Sequence, residues 1–369
     1  MTTNPHENRP RAVPTEIGPA PSAGLRTVPK LAVAIAGAGL MGQWHADAAR
    51  RTGGQTVGVL DIDSGRAAAL ARRHGAEPFS DLDRMIDTTQ PDVLHICAPT
   101  GLHDKMIRQA VARGVNVFVE KPLAQDVAAT RDAVEQAKAV GVQLCPVHQY
   151  AFQNSVARIT KRLKDLGDVI DVELRFYSAG AAGADPQQHP GIAADILPHP
   201  ASILQRLFPA ERLDQACWCV RADAPETWHL STSLGGVQVR ILLSLAARPT
   251  CATLGVAGRA GSFHADLFHD FVIFMDGTAN RRTKIYQPLA HSSRQFAAAA
   301  SNLAARALRR ETAYPGLRTL TSAFYAACRG EAPAPISAAE ICAVAALRDQ
   351  FLRTVGTSGT PSESNGVTP

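Results

Sequence analysis

The stretch "LAVAIAGAGLMG" (Leu31–Gly42) decides the fold, because an apolar run passes into a helical pattern through closely spaced glycines. The run predicts a buried strand, and Leu40–Arg51 predicts a helix. Between them, Gly37, Gly39 and Gly42 have the spacing GxGxxG. In an alanine- and glycine-rich chain this spacing alone is weak evidence. Between a strand and a helix it is typical of a turn that binds the phosphates of a dinucleotide.

An acidic residue follows at the distance that such a turn requires. Asp61 ends the next apolar run, "TVGVLD", 19 residues after Gly42. The pattern predicts that a pyrophosphate lies at the helix start beside Leu40 and Met41, and that Asp61 accepts hydrogen bonds from the adenosine ribose. A turn with packing glycines is the alternative. Because Asp61 repels a 2′-phosphate, NAD is the predicted cofactor; Arg66 in the following helix leaves NADP as the second choice.

Apolar strands and helical patterns alternate through the first 150 residues. Such alternation predicts a doubly wound parallel sheet, a Rossmann-like α/β domain, that binds its ligand at the carboxyl ends of the strands. After "TVGVLD" the predicted elements are a helix at Ser64–His74, the strand "DVLHICAP", a helix at Leu102–Arg113, the strand "NVFVE", a helix near 126–140 and the strand "VQLCPV".

The strand "NVFVE" ends directly on Glu120, Lys121 and Pro122. A solvated ion pair at a strand end is the simplest interpretation. The predicted topology, however, places Lys121 at the sheet edge where a nicotinamide would lie. There its charge would hold a substrate hydroxyl or stabilise a developing oxyanion.

The pattern changes after residue 150. Long alternating runs, such as "VIDVELRFYS" and "GVQVRILLSLAA", predict a large, mostly antiparallel open sheet in an α+β domain, with helices near 152–166, 292–309, 316–328 and 338–353. We therefore expect a nucleotide-binding domain over 30–150 and a substrate and oligomerisation domain over 151–355, whose late helices pack back on the first. Residues 1–29 and 356–369 have the composition of disordered tails.

Composition excludes several classes of protein. The net charge is +5 without a basic cluster typical of nucleic-acid binding, and no apolar run is long enough to span a bilayer. Seven scattered cysteines without a CxxC pair argue against a metal site or a disulfide framework. We therefore predict a cytoplasmic protein that binds no nucleic acid, membrane or metal.

The segment "DILPHPASIL" (Asp195–Leu204) suggests acid–base chemistry. Proline is tolerated only in the first turn of a helix, so Pro198 and Pro200 predict a helix start near 197, with Asp195 just before it. His199 would lie in the first turn, where the helix dipole disfavours imidazolium and keeps a general base neutral. The alternative is Asp195 as a helix cap with His199 on the surface.

Residues 31–353 resemble the Gfo/Idh/MocA oxidoreductases, the family of glucose–fructose oxidoreductase and inositol dehydrogenase. The resemblance rests on Gly37–Gly42 with His45, on "APTGLH" (Ala98–His103), on "AVARGVNVFVEKPLA" (Ala110–Ala124), on "DILPHPASIL" and on the closing helices. Two positions depart from the family pattern: the glycine-rich approach to Asp195 is reduced to "HPGIAAD", and Ser202 replaces an acid.

The resemblance implies a role for several residues. Lys121 would be the active-site lysine, often before a cis proline, with Asp195 and His199 facing the substrate. Lining residues along the cofactor would be Pro99, Thr100, His103 and Glu120. His45 would be structural. The positions of His148 and Tyr150 suggest either the substrate pocket or plain packing.

The predicted function is hydride transfer between NAD and a secondary alcohol or ketone of a sugar, cyclitol or nucleotide-linked sugar. Two alternatives stay open: an NAD-dependent elimination or glycosidase reaction, and a dinucleotide-binding regulator without turnover. Apolar residues on both faces of "VQVRILLSLAA" further predict a homodimer or homotetramer through the open sheet.

Overall fold

The structure, a computed structural model, describes residues 30–224, 226–277, 281–311 and 313–357, except for the side chains of residues 223, 281–284 and 357. The predicted tails 1–29 and 356–369 lie outside these ranges, apart from residues 356 and 357 at the end of the last helix. Two sheets with separate hydrophobic cores organise the chain. We call them the first sheet and the second sheet.

The first sheet has six parallel strands in the order β3-β2-β1-β4-β5-β6. The order reverses at β1, which is where an open α/β sheet binds its ligand. This confirms the predicted doubly wound fold. The strands are β1 (Leu31–Ala36), β2 (Gly54–Leu60), β3 (Glu77–Phe79), β4 (Val93–Ile96), β5 (Asn116–Val119) and β6 (Leu144–Pro146).

Five helices cover this sheet, and several begin with an aspartate that caps the helix. Asp63, Asp81 and Asp126 accept hydrogen bonds from backbone N–H groups in the first turns of α2, α3 and α5. The sequence prediction missed β3 and α3, because both are short. The predicted helix at Leu102–Arg113 is shorter and follows a 3-10 turn, Thr100–Leu102. The helices are α1 (Leu40–Arg51), α2 (Ser64–His74), α3 (Leu82–Thr89), α4 (His103–Val111) and α5 (Val127–Val140).

The second sheet has seven strands in the order β13-β12-β11-β7-β10-β9-β8, and only the β10–β7 pair is parallel. The predicted mostly antiparallel sheet is confirmed. The sequence prediction missed β9, whose outward positions are polar. The strands are β7 (Val169–Tyr177), β8 (Cys219–Ala224), β9 (Thr227–Leu234), β10 (Val237–Ser244), β11 (Cys251–Gly258), β12 (Gly261–Asp266) and β13 (Phe271–Asp276).

The outward face of the second sheet is polar at its centre. On β10, Gln238 and Arg240 are exposed between buried neighbours, and only Leu242 is a partly exposed apolar residue. Arg240 forms an ion pair with Asp171 on β7, 2.8 Å apart. The expectation that β10 is apolar on both faces is therefore wrong, because its polar residues alternate with the buried ones. Assembly through this face stays a prediction.

Helices of the second half close both cores. They are α6 (Asn154–Arg162), α7 (His189–Ile196), α8 (Pro198–Leu207), α9 (Arg281–Leu308), α10 (Leu317–Cys328) and α11 (Ala338–Thr357). Phe324 and Tyr325 of α10 lie in the core of the first sheet. The last helix, α11, packs against α5 of the first half and against α7 and α8. Of the late helices, α10 and α11 therefore contact the first half, whereas α9 packs on β13.

Candidate active site

The glycine-rich turn fits the backbone so closely that side chains are excluded at two of its positions. Gly37 has a φ of +101°, and a Cβ there would lie 2.6 Å from the carbonyl oxygen of Cys97. A Cβ on Gly42 would lie 1.8 Å from the Gly37 carbonyl oxygen. At Gly39 no described heavy atom lies within 4 Å of such a Cβ. No side chain caps the start of α1, so its backbone N–H groups are open to an anion.

Asp61 ties this turn to the end of β2. One carboxylate oxygen accepts a hydrogen bond from the Ala38 N–H at 2.8 Å, and the other accepts from the Asp63 N–H at 2.9 Å. The oxygen that accepts from the Ala38 N–H has a lone pair left for a further donor. Arg66 lies 3.2 Å from Asp61, and its side chain is 54% exposed. The carboxylate of Asp61 therefore lies beside the glycine turn, with a cation nearby.

The loops after β4 and β5 flank the same edge of the sheet. Pro99 is exposed and Thr100 partly buried, at the start of the 3-10 turn. His103 is buried, and its two ring nitrogens each lie 2.9 Å from a carbonyl oxygen, of Pro122 and of Ala98. His103 therefore braces the two loops, because both its nitrogens contact the protein.

Lys121 follows β5 directly, and its peptide bond to Pro122 is cis, as the resemblance implied. Its Nζ donates a hydrogen bond to the backbone carbonyl oxygen of Asp195, 3.0 Å away. Two residues separated by 74 positions in the chain thus meet at the sheet edge. The remaining protons of the ammonium group are free for other acceptors.

A series of buried hydrogen bonds connects Glu120 to Tyr325 in the core of the first sheet. Glu120 lies 3.1 Å from His45 Nε2, His45 Nδ1 lies 3.0 Å from His95 Nδ1, and His95 Nε2 lies 3.0 Å from the Tyr325 hydroxyl. With Glu120 as a carboxylate, which only accepts, all three bonds run in one direction from the tyrosine. Burial, and then the neighbouring His45, hold the pKa of His95 well below its usual value, consistent with a neutral ring. His45 is therefore structural, as expected.

Asp195 and His199 lie on either side of a helix junction. Asp195 is in the last turn of α7, a helix that the sequence prediction missed, and it lies just before α8, as predicted. The predicted start near 197 is confirmed, since α8 begins at Pro198. The Asp195 carboxylate lies 3.0 Å from the Arg348 guanidinium of α11. The carboxylate is thus held by a cation from the end of the chain.

The His199 ring lies against aromatic groups. Its centroid is 4.6 Å from that of Tyr150, and Phe176 stacks nearly parallel to it at 6.3 Å. Its Nδ1 is buried without a hydrogen-bond partner among the described residues. Burial, followed by the charges of Lys121 and His148, holds the pKa of His199 well below its usual value. The predicted neutral imidazole therefore agrees with its surroundings.

His148 and Tyr150 follow β6 and lie next to these groups. His148 is buried, and burial together with the Lys121 charge lowers its pKa to about 3. Burial is the main cause that raises the pKa of Tyr150 to about 12. Both rings are therefore neutral near pH 7; Tyr150 contacts the His199 ring, and His148 lies close enough to Lys121 for its charge to act on the imidazole.

Sequence reasoning missed three residues of this site: His95, Tyr325 and Arg348. His95 lies inside an apolar strand. Because a buried polar side chain needs a hydrogen-bond partner, a histidine at this position of the sequence could have indicated a buried polar contact. Tyr325 and Arg348 lie in helices whose partners are distant in the chain, so no local pattern indicated them. Among the described residues, no cluster of histidine, cysteine, aspartate or glutamate could hold a metal ion. No helix in the described ranges is long and apolar enough to cross a bilayer.

The sequence profile of an oxidoreductase family with an NAD-binding Rossmann fold, the Gfo/Idh/MocA family, matches residues 31–148. This segment contains the glycine turn, Asp61, Lys121 and all of the first sheet. Over these residues the chain matches the NAD-binding segment of the Gfo/Idh/MocA family. The predicted resemblance to that family is thereby confirmed for the first sheet.

Two curated proteins show what the chain resembles. Inositol 2-dehydrogenase of Leifsonia xyli is 35% identical over 104 residues, 28% of this chain and 31% of that protein. The scyllo-inositol 2-dehydrogenase (NAD(+)) of Bacillus subtilis is 31% identical over 185 residues, 48% of this chain and 54% of that protein. The matches therefore span about a third to a half of these relatives.

Solved structures extend the likeness of fold to the second sheet. The WlbA dehydrogenase from Bordetella pertussis, in complex with NADH and UDP-GlcNAcA, has a TM-score of 0.70 at 16% identity and covers 90% of this chain and 97% of its own. UDP-N-acetylglucosamine 3-dehydrogenase GnnA from Acidithiobacillus ferrooxidans has a TM-score of 0.66 at 16% identity, over 88% and 98%. At this identity the likeness establishes a shared fold across both halves.

Proposed function

We propose that the protein is an NAD-dependent dehydrogenase that oxidises a secondary alcohol of a sugar, cyclitol or nucleotide-linked sugar, or reduces the corresponding ketone. The observation that carries the proposal is the meeting of Lys121, Asp195 and His199 at the carboxyl edge of the first sheet. The names of the relatives and of the solved structures, inositol and UDP-sugar dehydrogenases, support this class of substrate.

The glycine turn and Asp61 fit NAD. The open space over Gly39 and the uncapped start of α1 would take the pyrophosphate, and Asp61 would accept from the ribose. Pro99, Thr100 and Glu120 lie on the loops along the same edge. NAD, when bound, supplies the hydride acceptor. Asp61 favours NAD over NADP, because a carboxylate repels a 2′-phosphate.

Lys121 would bind the reacting oxygen of the substrate. Its Nζ uses one hydrogen bond on the Asp195 carbonyl oxygen, which fixes the direction of the ammonium group. As an alcohol becomes a ketone, negative charge develops on the oxygen, and a fixed cation stabilises that charge. Asp195 would orient the sugar through hydrogen bonds to a neighbouring hydroxyl group.

His199 would accept the hydroxyl proton. An unpartnered buried nitrogen costs free energy, and a substrate hydroxyl bound at Nδ1 would recover it. The lowered pKa keeps the ring neutral and able to act as a base at neutral pH. His148 and Tyr150 would shape the pocket between this base and Lys121 and bind substrate hydroxyl groups.

The test is an activity screen with purified protein. NAD or NADP is mixed with inositols, free sugars and UDP-sugars, and the absorbance of the reduced nicotinamide is followed. We expect reduction of NAD with at least one polyol, and none in a Lys121→Ala control prepared in parallel.

The screen separates the alternatives. A product released without net reduction of NAD would indicate the elimination reaction. Tight NAD binding by calorimetry, without turnover of any substrate in either direction, would instead indicate a regulator and overturn the proposed activity.

A further inference from the structure

Arg348 joins three parts of the chain. Its side chain is 11% exposed, and its guanidinium donates to the Asp195 carboxylate at 3.0 Å and to the Gln125 carbonyl oxygen at 2.7 Å. Gln125 lies in the loop that follows Lys121. One guanidinium therefore connects the last helix, the helix that carries Asp195 and the loop that follows the lysine.

The neighbouring Asp349 fixes the same helix to the same loop. Its carboxylate accepts a hydrogen bond from the Val127 N–H at 2.9 Å, at the start of α5. The backbone of α11 is thus anchored independently of Asp195. This anchor allows the guanidinium of Arg348 to act on the Asp195 side chain from a fixed position.

The contacts of Asp195 are divided between two cations. Lys121 donates a hydrogen bond to the backbone carbonyl oxygen of Asp195, whereas Arg348 donates to its carboxylate. Without Arg348, the nearest cation for that carboxylate would be Lys121, and a Lys121–Asp195 ion pair would occupy the ammonium group. The free carboxylate would also leave an uncompensated negative charge four residues before His199 in the chain.

We propose that Arg348 is a positioning residue that holds the Asp195 carboxylate away from Lys121 and His199. This role rests on the proposed function of the site. It leaves the ammonium of Lys121 to the substrate oxygen and the imidazole of His199 neutral, while the second carboxylate oxygen of Asp195 stays free for a substrate hydroxyl.

The consequence is electrostatic and can be measured. Lys121 and His148 act on the pKa of His199, and Tyr150 and Phe176 contact its ring. Asp195 precedes His199 by four residues, and in wild type its charge is matched by Arg348. In Arg348→Met the carboxylate is unmatched, so it favours imidazolium. The pKa of His199 should rise by about one unit at most, because an opposite charge nearby favours imidazolium while water screens an Asp195 side chain that is 43% exposed.

The experiment follows the His199 ring protons by NMR as a function of pH, with the resonance assigned from His199→Gln. It compares wild type, Arg348→Met, Arg348→Lys and the double variant Arg348→Met with Asp195→Asn. Arg206→Met is the matched control: Arg206 lies on the same helix as His199, but it contacts Phe152 and the Pro335 carbonyl oxygen instead of a carboxylate. Circular dichroism confirms that each variant is folded.

We expect the pKa to rise in Arg348→Met and to stay close to wild type in Arg348→Lys and Arg206→Met. The double variant should return toward wild type, because the freed carboxylate is gone. An unmoved pKa in Arg348→Met would overturn the inference, and so would an equal rise in Arg206→Met. The titration needs no substrate, so an inactive wild type would count against the proposed function alone.

On an active substrate the same variants give a second readout. The acidic limb of kcat/KM should move upward with the pKa in Arg348→Met, with a loss of about 10- to 100-fold at its plateau, within the range of positioned acid–base groups. A loss of rate at every pH with an unmoved limb would assign Arg348 to packing only.

Discussion

The two sheets of this protein build their halves of the site in different ways. In the first sheet, parallel strands bring every loop at their carboxyl ends to one edge, so residues after β1, β2, β4 and β5 converge by topology alone. The second sheet mainly supplies a buried face on which α7 and α8 rest. There, the site residues converge through long-range contacts, such as that between Asp195 and Arg348, 153 positions apart.

The comparison indicates that substitutions at the proposed cofactor site and at the proposed substrate site should have different effects. The glycine turn is fixed by backbone packing, so its substitutions should act on folding and on NAD. The Lys121, Asp195 and His199 group is fixed by side-chain contacts between the halves, so its substitutions should act on turnover. Four predictions test this division.

The largest expected effect is at Lys121. Lys121→Ala should lower kcat about 10³-fold, because removing a donor at a developing oxyanion costs about 10²–10³. The affinity for NAD, measured by calorimetry, should stay within a few-fold of wild type. Lys105→Ala, at an exposed position on α4, is the control. Normal turnover in Lys121→Ala would remove the lysine from the proposed mechanism.

His199 should show the next largest effect. His199→Ala should lower kcat about 10²-fold or more, as positioned acid–base groups supply about 10²–10⁴. In wild type, oxidation should slow as pH falls through the pKa of His199, because protonation removes the base, and reduction should be favoured on the acid side.

The fall in the rate of oxidation at low pH is the acidic limb of the pH–rate profile, and the pH at which it occurs is a test of the structure. Because burial and Lys121 lower the pKa of His199, the limb should lie below about pH 6.5, the ordinary value for histidine. His199→Ala and His199→Asn should both flatten the limb, whereas the exposed His269→Ala should leave it in place. An unchanged limb in His199→Ala would transfer the base role to Lys121 or Asp195.

Substitutions at two glycines of the same turn should separate an effect on folding from an effect on NAD binding. Gly42→Ala places a methyl group against the Gly37 carbonyl and should destabilise the fold by about 3 kcal/mol, at the upper end of overpacking costs. Gly39→Ala meets no protein atom, so its melting temperature should stay near wild type. Its NAD affinity should fall about tenfold, equal to ~1.4 kcal/mol. Unchanged NAD affinity in Gly39→Ala would place the pyrophosphate elsewhere.

The smallest expected effect concerns cofactor choice. Asp61→Ser removes the charge that repels a 2′-phosphate and keeps a hydroxyl near the ribose, while Arg66 stays in place. The preference for NAD over NADP should narrow about tenfold, the size of one hydrogen bond to a charged group. Competition between the two cofactors, measured by calorimetry, gives the ratio. Tighter binding of NADP than of NAD by wild type would contradict the role given to Asp61.

The sequence by itself determined the first half of this protein. The strand–turn–helix at Leu31–Arg51, the acid at position 61 and the lysine after β5 depend on contacts within a few residues and on a topology that parallel strands impose. The start of α8 could also be predicted, because proline restricts its own backbone and needs no distant partner.

Only the tertiary structure decided the rest. The neutral His199 surrounded by Tyr150 and Phe176, the chain of bonds from Tyr325 to Glu120, and the Arg348 contact all join elements that are far apart in sequence. The polar outward face of β10 likewise became evident only when the register of the strand was fixed. Local patterns predict where an element begins, whereas burial and hydrogen-bond partners depend on which other element packs against it.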